Sequence, residues 1–398
     1  MSLKLVEHFD APMEYKRNTE HIHDILKWVD LLLKNELLKQ KYHNKAEPVQ
    51  GLMGFVISED EVYSLLDSNA NLKFEYTPAL ENDPGAFKEL MDLKVNLSVL
   101  DGIFIPVRHI SETFELISFE FGCLAICLAV ELDVKYEKLY AYLQDDLNKK
   151  RPTIDLMLKL LCRDEEERLL SLSSFLPDSK LIRYILNTFD YPADSLTLFL
   201  SRQLKIDEGV LNYILGFDSI QISLGEIARF CEAPANLMHE TTFEDDTEGF
   251  KKAVINYVSS NSCENKSLLI HLSGAKGAGK KNLVYNICSE LERTVLIIDA
   301  GCLVKDTGKP DRRLNTIVRE AKLRKAVLCF ENFHVLQEET YRDWINEILC
   351  CIRKDIKTSF LLSECDWSPP ELPHDLVFVA KELKQPDIPE RCTLWDYY

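Results

Sequence analysis

No apolar run in this 398-residue chain approaches the roughly 18 residues that a membrane-spanning helix requires, so no membrane partner is expected. The opening Met1-Ser-Leu-Lys-Leu-Val-Glu-His8 lacks the apolar core of a secretory leader, which makes a soluble protein of the cytoplasm the expectation. Basic residues are outnumbered, 47 Lys and Arg against 65 Asp and Glu, for a net charge of −18. That balance excludes a broad electrostatic grip on nucleic acid, although a local basic patch is compatible with it. Zinc-ligand spacing is also missing. The 12 cysteines include no C-x-x-C pair followed by a second Cys or His pair. Cys123 and Cys127 share a helix face, Cys350 and Cys351 are adjacent, and all four read as buried thiols of a reducing compartment.

Apolar residues make up 46% of the chain, enough for two or three domains with cores of their own. Residues 18–40 repeat apolar positions at helical spacing. Gly54–Ser58 reads as a short extended piece, and the Ser58/Glu61 spacing is that of a capping box opening a helix over Val62–Leu66. Asn69–Pro84 reads as irregular. Helices are expected at Glu112–Leu132, Val134–Leu147, Thr153–Leu161 and Glu165–Phe175. Two strand-like runs follow, Lys180–Asn187 and Ser195–Arg202, separated by the turn-rich Asp190–Asp194. Helices followed by a β-hairpin is the order of a winged-helix domain. A short helix from Asp207 to Leu215 ends at Gly216, and Pro234, Asn236 and an acidic run mark a domain boundary. From Phe250 onward, strands at 267–273, 294–301, 325–331, 357–363 and 374–382 alternate with helices at 279–292, 312–324 and 339–355. That alternation predicts a parallel sheet covered on both faces. The domains expected are a helical region over 1–110, a winged-helix-like domain over 111–216, a linker over 217–249 and an α/β core over 250–398.

The segment Ser267–Asn282 carries the most chemistry, reading as an apolar strand, a glycine-rich turn and a helix start. Gly274, Gly279 and Lys280 hold the spacing of a phosphate-binding P-loop, G-x-x-x-x-G-K followed by Ser or Thr. Glycines, here with Gly277, let backbone N–H groups close around phosphate oxygens, the lysine reaches the terminal phosphates, and the helix N-terminus adds positive potential. The hydroxyl residue that should hold Mg²⁺ is replaced by Lys281. Phosphate contact is therefore assigned to Gly274, Gly277, Gly279, Lys280 and Lys281, with ATP or ADP as the candidate ligand.

The strand Lys325–Glu331 ends in an acid where a Walker B element would hold the metal, which makes Glu331 the candidate metal ligand and the one candidate for a catalytic role. Asn332 stands where a carboxylate would take the proton of the attacking water, and an amide cannot do so. The next strand ends in Ser363-Glu364, where an amide would sense the γ-phosphate and a carboxylate repels it. Only the loop Asp366–Pro373 joins the last two strands, in place of a helix bearing an arginine finger. Three uses stay open: a structural domain, a site that binds without turnover, and a hydrolase. In the helical half, the recognition-helix candidate Thr153–Leu161 has six large aliphatics among nine residues and no Arg, Asn or Gln for base edges. Lys149, Lys150 and Arg151 are matched by Asp145 and Asp146, so protein contact is expected rather than DNA reading.

Leu128–Asp146, followed by Lys150–Asp155, resembles the N-terminal region of a family of bacterial AAA+ ATPases, and Gly54–Ser58 is similar to that family's G-L-Y-I-S element. The family combines a winged-helix-like region, a divergent first ATPase module and a second module with intact motifs. Some members accompany extracellular contractile injection systems. The resemblance implies that Gly274–Lys280 and Glu331 belong to the divergent first module. Arg391–Tyr398 resembles the E-R-x-x-L-W start of an AAA+ lid, so the likeness also implies a chain that stops before its lid, Sensor 2 arginine and second module. The expected fold is multidomain: a mostly α N-terminal region with a winged-helix element, then a lidless α/β P-loop NTPase core. By resemblance, the full protein forms a ring and couples ATP to remodelling a protein complex, and this chain contributes partner recognition and a non-hydrolysing module. A nucleotide-independent adaptor and a DNA-binding regulator are the competing readings.

Overall fold

A computed structural model describes residues 14–43, 64–66, 83–188, 197–217, 224–231, 245–260, 266–305 and 310–385. The chain divides into two units, Met1–Phe217 and Asp218–Tyr398. The extended piece expected at Gly54–Ser58 and the turn at Asp190–Asp194 lie outside the described residues, as does nearly all of Asn69–Pro84.

The first unit is built from α1 (Asn18–His43), α2 (Pro84–Leu100), α3 (Pro106–Thr113), α4 (Ser118–Leu132), α5 (Lys135–Leu143), α6 (Ile154–Leu161), α7 (Glu165–Ser171), a hairpin of β1 (Leu186–Thr188) and β2 (Leu204–Ile206), and α8 (Glu208–Leu215). The helix α2 was not anticipated. Asp83 caps it by accepting from Gly85 N at 2.8 Å, Pro84 fits the first turn, and Phe87, Met91 and Val95 recur every fourth residue as its buried stripe. The centre of the fold is α4, whose residues Cys123 to Ala129 are buried on every side. Burial pushes the thiols of Cys123 and Cys127 up, as suits inert interior cysteines.

Two expectations need correction. The single helix expected over Glu112–Leu132 breaks at 114–117. Glu115 turns to φ 50, and the Glu120 carboxylate accepts from Ile117 N at 3.1 Å to start α4 afresh. The run Lys180–Asn187 is not one strand, because 181–185 form a π-helical turn and pairing begins only at Leu186. Leu181, Tyr184 and Ile185 are its buried residues, a helical spacing rather than an alternating one. Its partner likewise pairs at Leu204–Ile206, beyond the expected Ser195–Arg202. The recognition-helix candidate α6 is interior, with Ile154, Leu156, Met157, Leu158 and Leu160 all buried.

His21 is buried among Asp24, Lys88 and Lys94, and burial lowers its pKa to about 4 from the ordinary 6.5. Between those values the unfolded chain binds a proton that the folded unit refuses, so stability falls as the pH drops through that window. The loss should reach about 3 kcal/mol near pH 4. His21→Phe should flatten that slope in urea titrations run from pH 7 to 4, and an unchanged slope would assign it to other groups.

The second unit holds a six-stranded sheet in the order β3 (Ala228–Cys231), β5 (Val295–Asp299), β6 (Val327–Glu331), β7 (Thr358–Leu362), β4 (Ser267–Ser273) and β8 (Leu376–Glu382). Its last five members are parallel. The edge strand β3 lies inside the segment expected to be a linker and pairs antiparallel with β5. Helices α9 (Asp245–Ser260), α10 (Lys280–Glu290), α11 (Ala300–Leu303), α12 (Pro310–Leu323) and α13 (Arg342–Asp355) complete the unit. Every residue of β4 is buried. Leu268, Ile270 and Leu272 join Val254 of α9 and Leu283, Val284 and Ile287 of α10 in one core. Leu269 and His271 point the other way by strand alternation. There Trp367, from the loop that stands where a helix was expected to be missing, meets Phe333 at 5.0 Å and Phe378 at 5.9 Å and covers His271. Among the described residues no helix is long and apolar enough to cross a membrane.

Candidate functional site

The parallel strands deliver their C-terminal ends to one edge of the sheet, where α/β folds bind ligands. The strand β4, between β7 and the edge strand β8, runs there into Gly274–Gly279 and then α10. Gly274, Gly277 and Gly279 all take positive φ, of 138°, 89° and 81°, which curls the loop back on itself. Gly274 has a second constraint, since a Cβ there would lie 2.3 Å from the backbone oxygen of Leu383 at the end of β8. The loop and the strand ends enclose a cavity of about 370 Å³. It is lined by Lys276 to Asn282, by Glu331 at the end of β6 with Asn332 and His334 beyond it, and by Ser363 and Glu364 after β7. Of the five residues assigned to phosphate contact, the three glycines are in this loop and the two lysines open α10, and Gly277, Gly279, Lys280 and Lys281 line the cavity itself.

Lys280, Lys281 and Glu331 each have a partner. The Lys280 ammonium folds back onto its own loop, donating to the carbonyls of Gly274 and Ala275, the latter at 3.0 Å. Burial lowers its pKa, while the Glu364 carboxylate pulls the other way. Lys281 is ion-paired with Glu331 Oε1, and Arg229 of the edge strand reaches Glu331 Oε2 at 3.9 Å. Asn332, at φ 57 in the left-handed region, donates from Nδ2 to Asp299 Oδ2 at 3.0 Å. Asp299 sits opposite Glu331 in the β5–β6 register and caps α11 by accepting from Cys302 N at 2.9 Å. The amide at the position of the water-activating acid is thus committed to its neighbour. Ser363 Oγ accepts from Cys365 N at 3.1 Å, which fixes the start of the loop after β7.

This donor set does not fit Mg²⁺. The ion needs near-octahedral oxygen ligands. Here the hydroxyl position holds an ammonium, and Glu331, the acid that ends β6, has Lys281 on one carboxylate oxygen and Arg229 3.9 Å from the other. Sequence reasoning missed Arg229, Asp299 and His334. The first comes from a four-residue strand with no pattern of its own, and Asp299 could have been found as the acid ending a buried apolar run.

The family model described as "Winged helix domain, variant" matches residues 6–228, and that described as "ATPase family associated with various cellular activities (AAA)" matches residues 270–363. No curated protein matches the chain. Among solved structures, that of C. elegans PCH-2 is 16% identical over 42% of this chain, with a TM-score of 0.31, and the match spans about half of that protein's chain (51%). With more than half of its length inside the first match, the chain belongs to the variant winged-helix-domain family, in which it joins that domain to an AAA ATPase domain.

Proposed function

We propose that the α/β unit is a nucleotide-binding module that does not hydrolyse its ligand, and that the helical unit recognises a protein partner in an AAA+ machine that remodels or assembles a protein complex. The observation that carries this reading is the pair of diverted groups at the catalytic end of the sheet: Glu331 holds Lys281, and Asn332 is tied to Asp299. With Glu331 holding Lys281 and an amide at the position of the water-activating acid, the module can bind a phosphate and lacks the usual base for turnover. The inward-facing α6 favours protein contact over DNA reading, since base edges need polar side chains presented outward. Ring assembly, a cytoplasmic location and service to a contractile injection particle are carried by the resemblance of Leu128–Asp155 and belong to the same proposal.

The adaptor reading has one observation in its favour, the closure of Lys280 onto its own loop. Lys280→Ala separates the two. The substitution is expected to weaken ADP binding at least tenfold in calorimetric titration. Nucleotide should then cease to affect partner capture. If neither the wild type nor the variant responds to nucleotide and both capture partner equally, the site is structural.

A further inference from the structure

Lys281 and Glu331 stand at the positions of the hydroxyl and the acid that would hold a nucleotide-bound Mg²⁺, and their pairing sets an ammonium at the end of β6, anchored by a strand-end acid. We propose that Lys281 replaces the metal and that the site takes a nucleoside diphosphate without a divalent cation. The inference rests on the nucleotide-binding reading above and specifies which ligand that site holds.

Three features of the cavity carry it. First, Lys280 and Lys281 both line the cavity from the start of α10, next to a loop whose positive-φ glycines can turn N–H groups toward an anion. Lys280, Lys281 and the helix end set positive potential against a terminal β-phosphate, and Arg229 offsets part of the Glu331 charge that Lys281 faces. Second, Glu331 cannot serve a metal without giving up Lys281, and the released ammonium would then repel the incoming ion at close range. Third, Glu364 and Ser363 line the same cavity at the end of β7, the strand beside β4. A third phosphate would bring further negative charge toward that carboxylate. The Glu364 field already acts on Lys280, which puts the two groups within electrostatic reach of each other.

The test is calorimetric titration of the full chain with ADP and with ATP, in EDTA and in excess Mg²⁺. The wild type should bind ADP with an affinity that the metal changes by less than about twofold, and ATP about tenfold more weakly. Glu364→Gln should narrow the ATP-to-ADP gap. Lys281→Ser, which supplies the hydroxyl and frees Glu331 Oε1, should weaken ADP binding about tenfold in EDTA and recover it in Mg²⁺. Lys281→Arg keeps the charge and should stay metal-independent, and thermal melts of each variant separate lost binding from lost folding. Wild-type binding that strengthens more than about tenfold with Mg²⁺ overturns the metal-replacement inference while leaving the nucleotide site standing. Absence of binding for both nucleotides under every condition removes the nucleotide site itself.

Discussion

Gly274→Ala should lower the thermal midpoint of the α/β unit by about 6–12 °C. Its φ of +138° is a region that side chains with a Cβ rarely enter. The added carbon would also sit 2.3 Å from the backbone oxygen of Leu383 and 3.3 Å from its carbonyl carbon. That backbone has little room to retreat, because Leu383 N donates to Ser273 O at 2.9 Å and β8 is paired with β4 along its length. Relief means parting the end of β8 from the strand that leads into the loop. Backbone strain of about 1–3 kcal/mol plus a lost strand-end hydrogen bond gives roughly 3 kcal/mol in total. Gly277→Ala is the matched control. It also has a positive φ, of 89°, but nothing lies within 4 Å of its Cβ, so only the strain remains. Differential scanning calorimetry of both variants should show a deep loss for the first and a shallow one for the second. Equal losses would mean that the contact with Leu383 is immaterial.

Asp30→Ala should cost the helical unit about 3–5 kcal/mol, measured by urea denaturation of the full chain. Lys135 Nζ lies 2.8 Å from Asp30 Oδ2, and the two side chains are only 6% and 10% exposed. Removing the acid leaves an ammonium in a site that water does not reach, beside the Tyr136 ring at 4.9 Å. The tyrosine hydroxyl reports the same setting, its pKa pushed up by burial first and by Asp30 next. Replacing both partners with apolar residues, as in Asp30→Leu with Lys135→Met, should recover most of the loss, because it removes both desolvated charges together. A single-variant cost below about 1 kcal/mol would mean that water reaches the pair.

The strands of the α/β unit were legible for a physical reason. Each of β4 to β7 is buried on both faces, so its sequence is a near-continuous apolar run that ends at a turn. The edge strand β3 has only Ala-Arg-Phe-Cys, too short for a period and with Arg229 left exposed. The hairpin was displaced because Leu181–Ile185 carries strand-forming residues at helix spacing, and the buried set followed the spacing rather than the composition. The glycines, the two lysines and Glu331 could be read as a site because the P-loop pattern is local. What those groups do to one another could not. The Lys281–Glu331 pair joins residues from elements that are not neighbours in the sheet, since β7 separates β6 from β4. The tie between Asn332 and Asp299 depends on a left-handed residue and on the β5–β6 register. These long-range contacts turn a damaged motif into a coherent cationic pocket.

The most direct measurement follows ATP binding and phosphate release in one sample of the full chain with Mg²⁺ present, beside Lys280→Ala. Saturable binding that Lys280→Ala abolishes, with phosphate release no faster than in that variant, is the predicted result. Steady turnover that Glu331→Gln abolishes would contradict the account, because it would make the acid now holding Lys281 a working catalytic group.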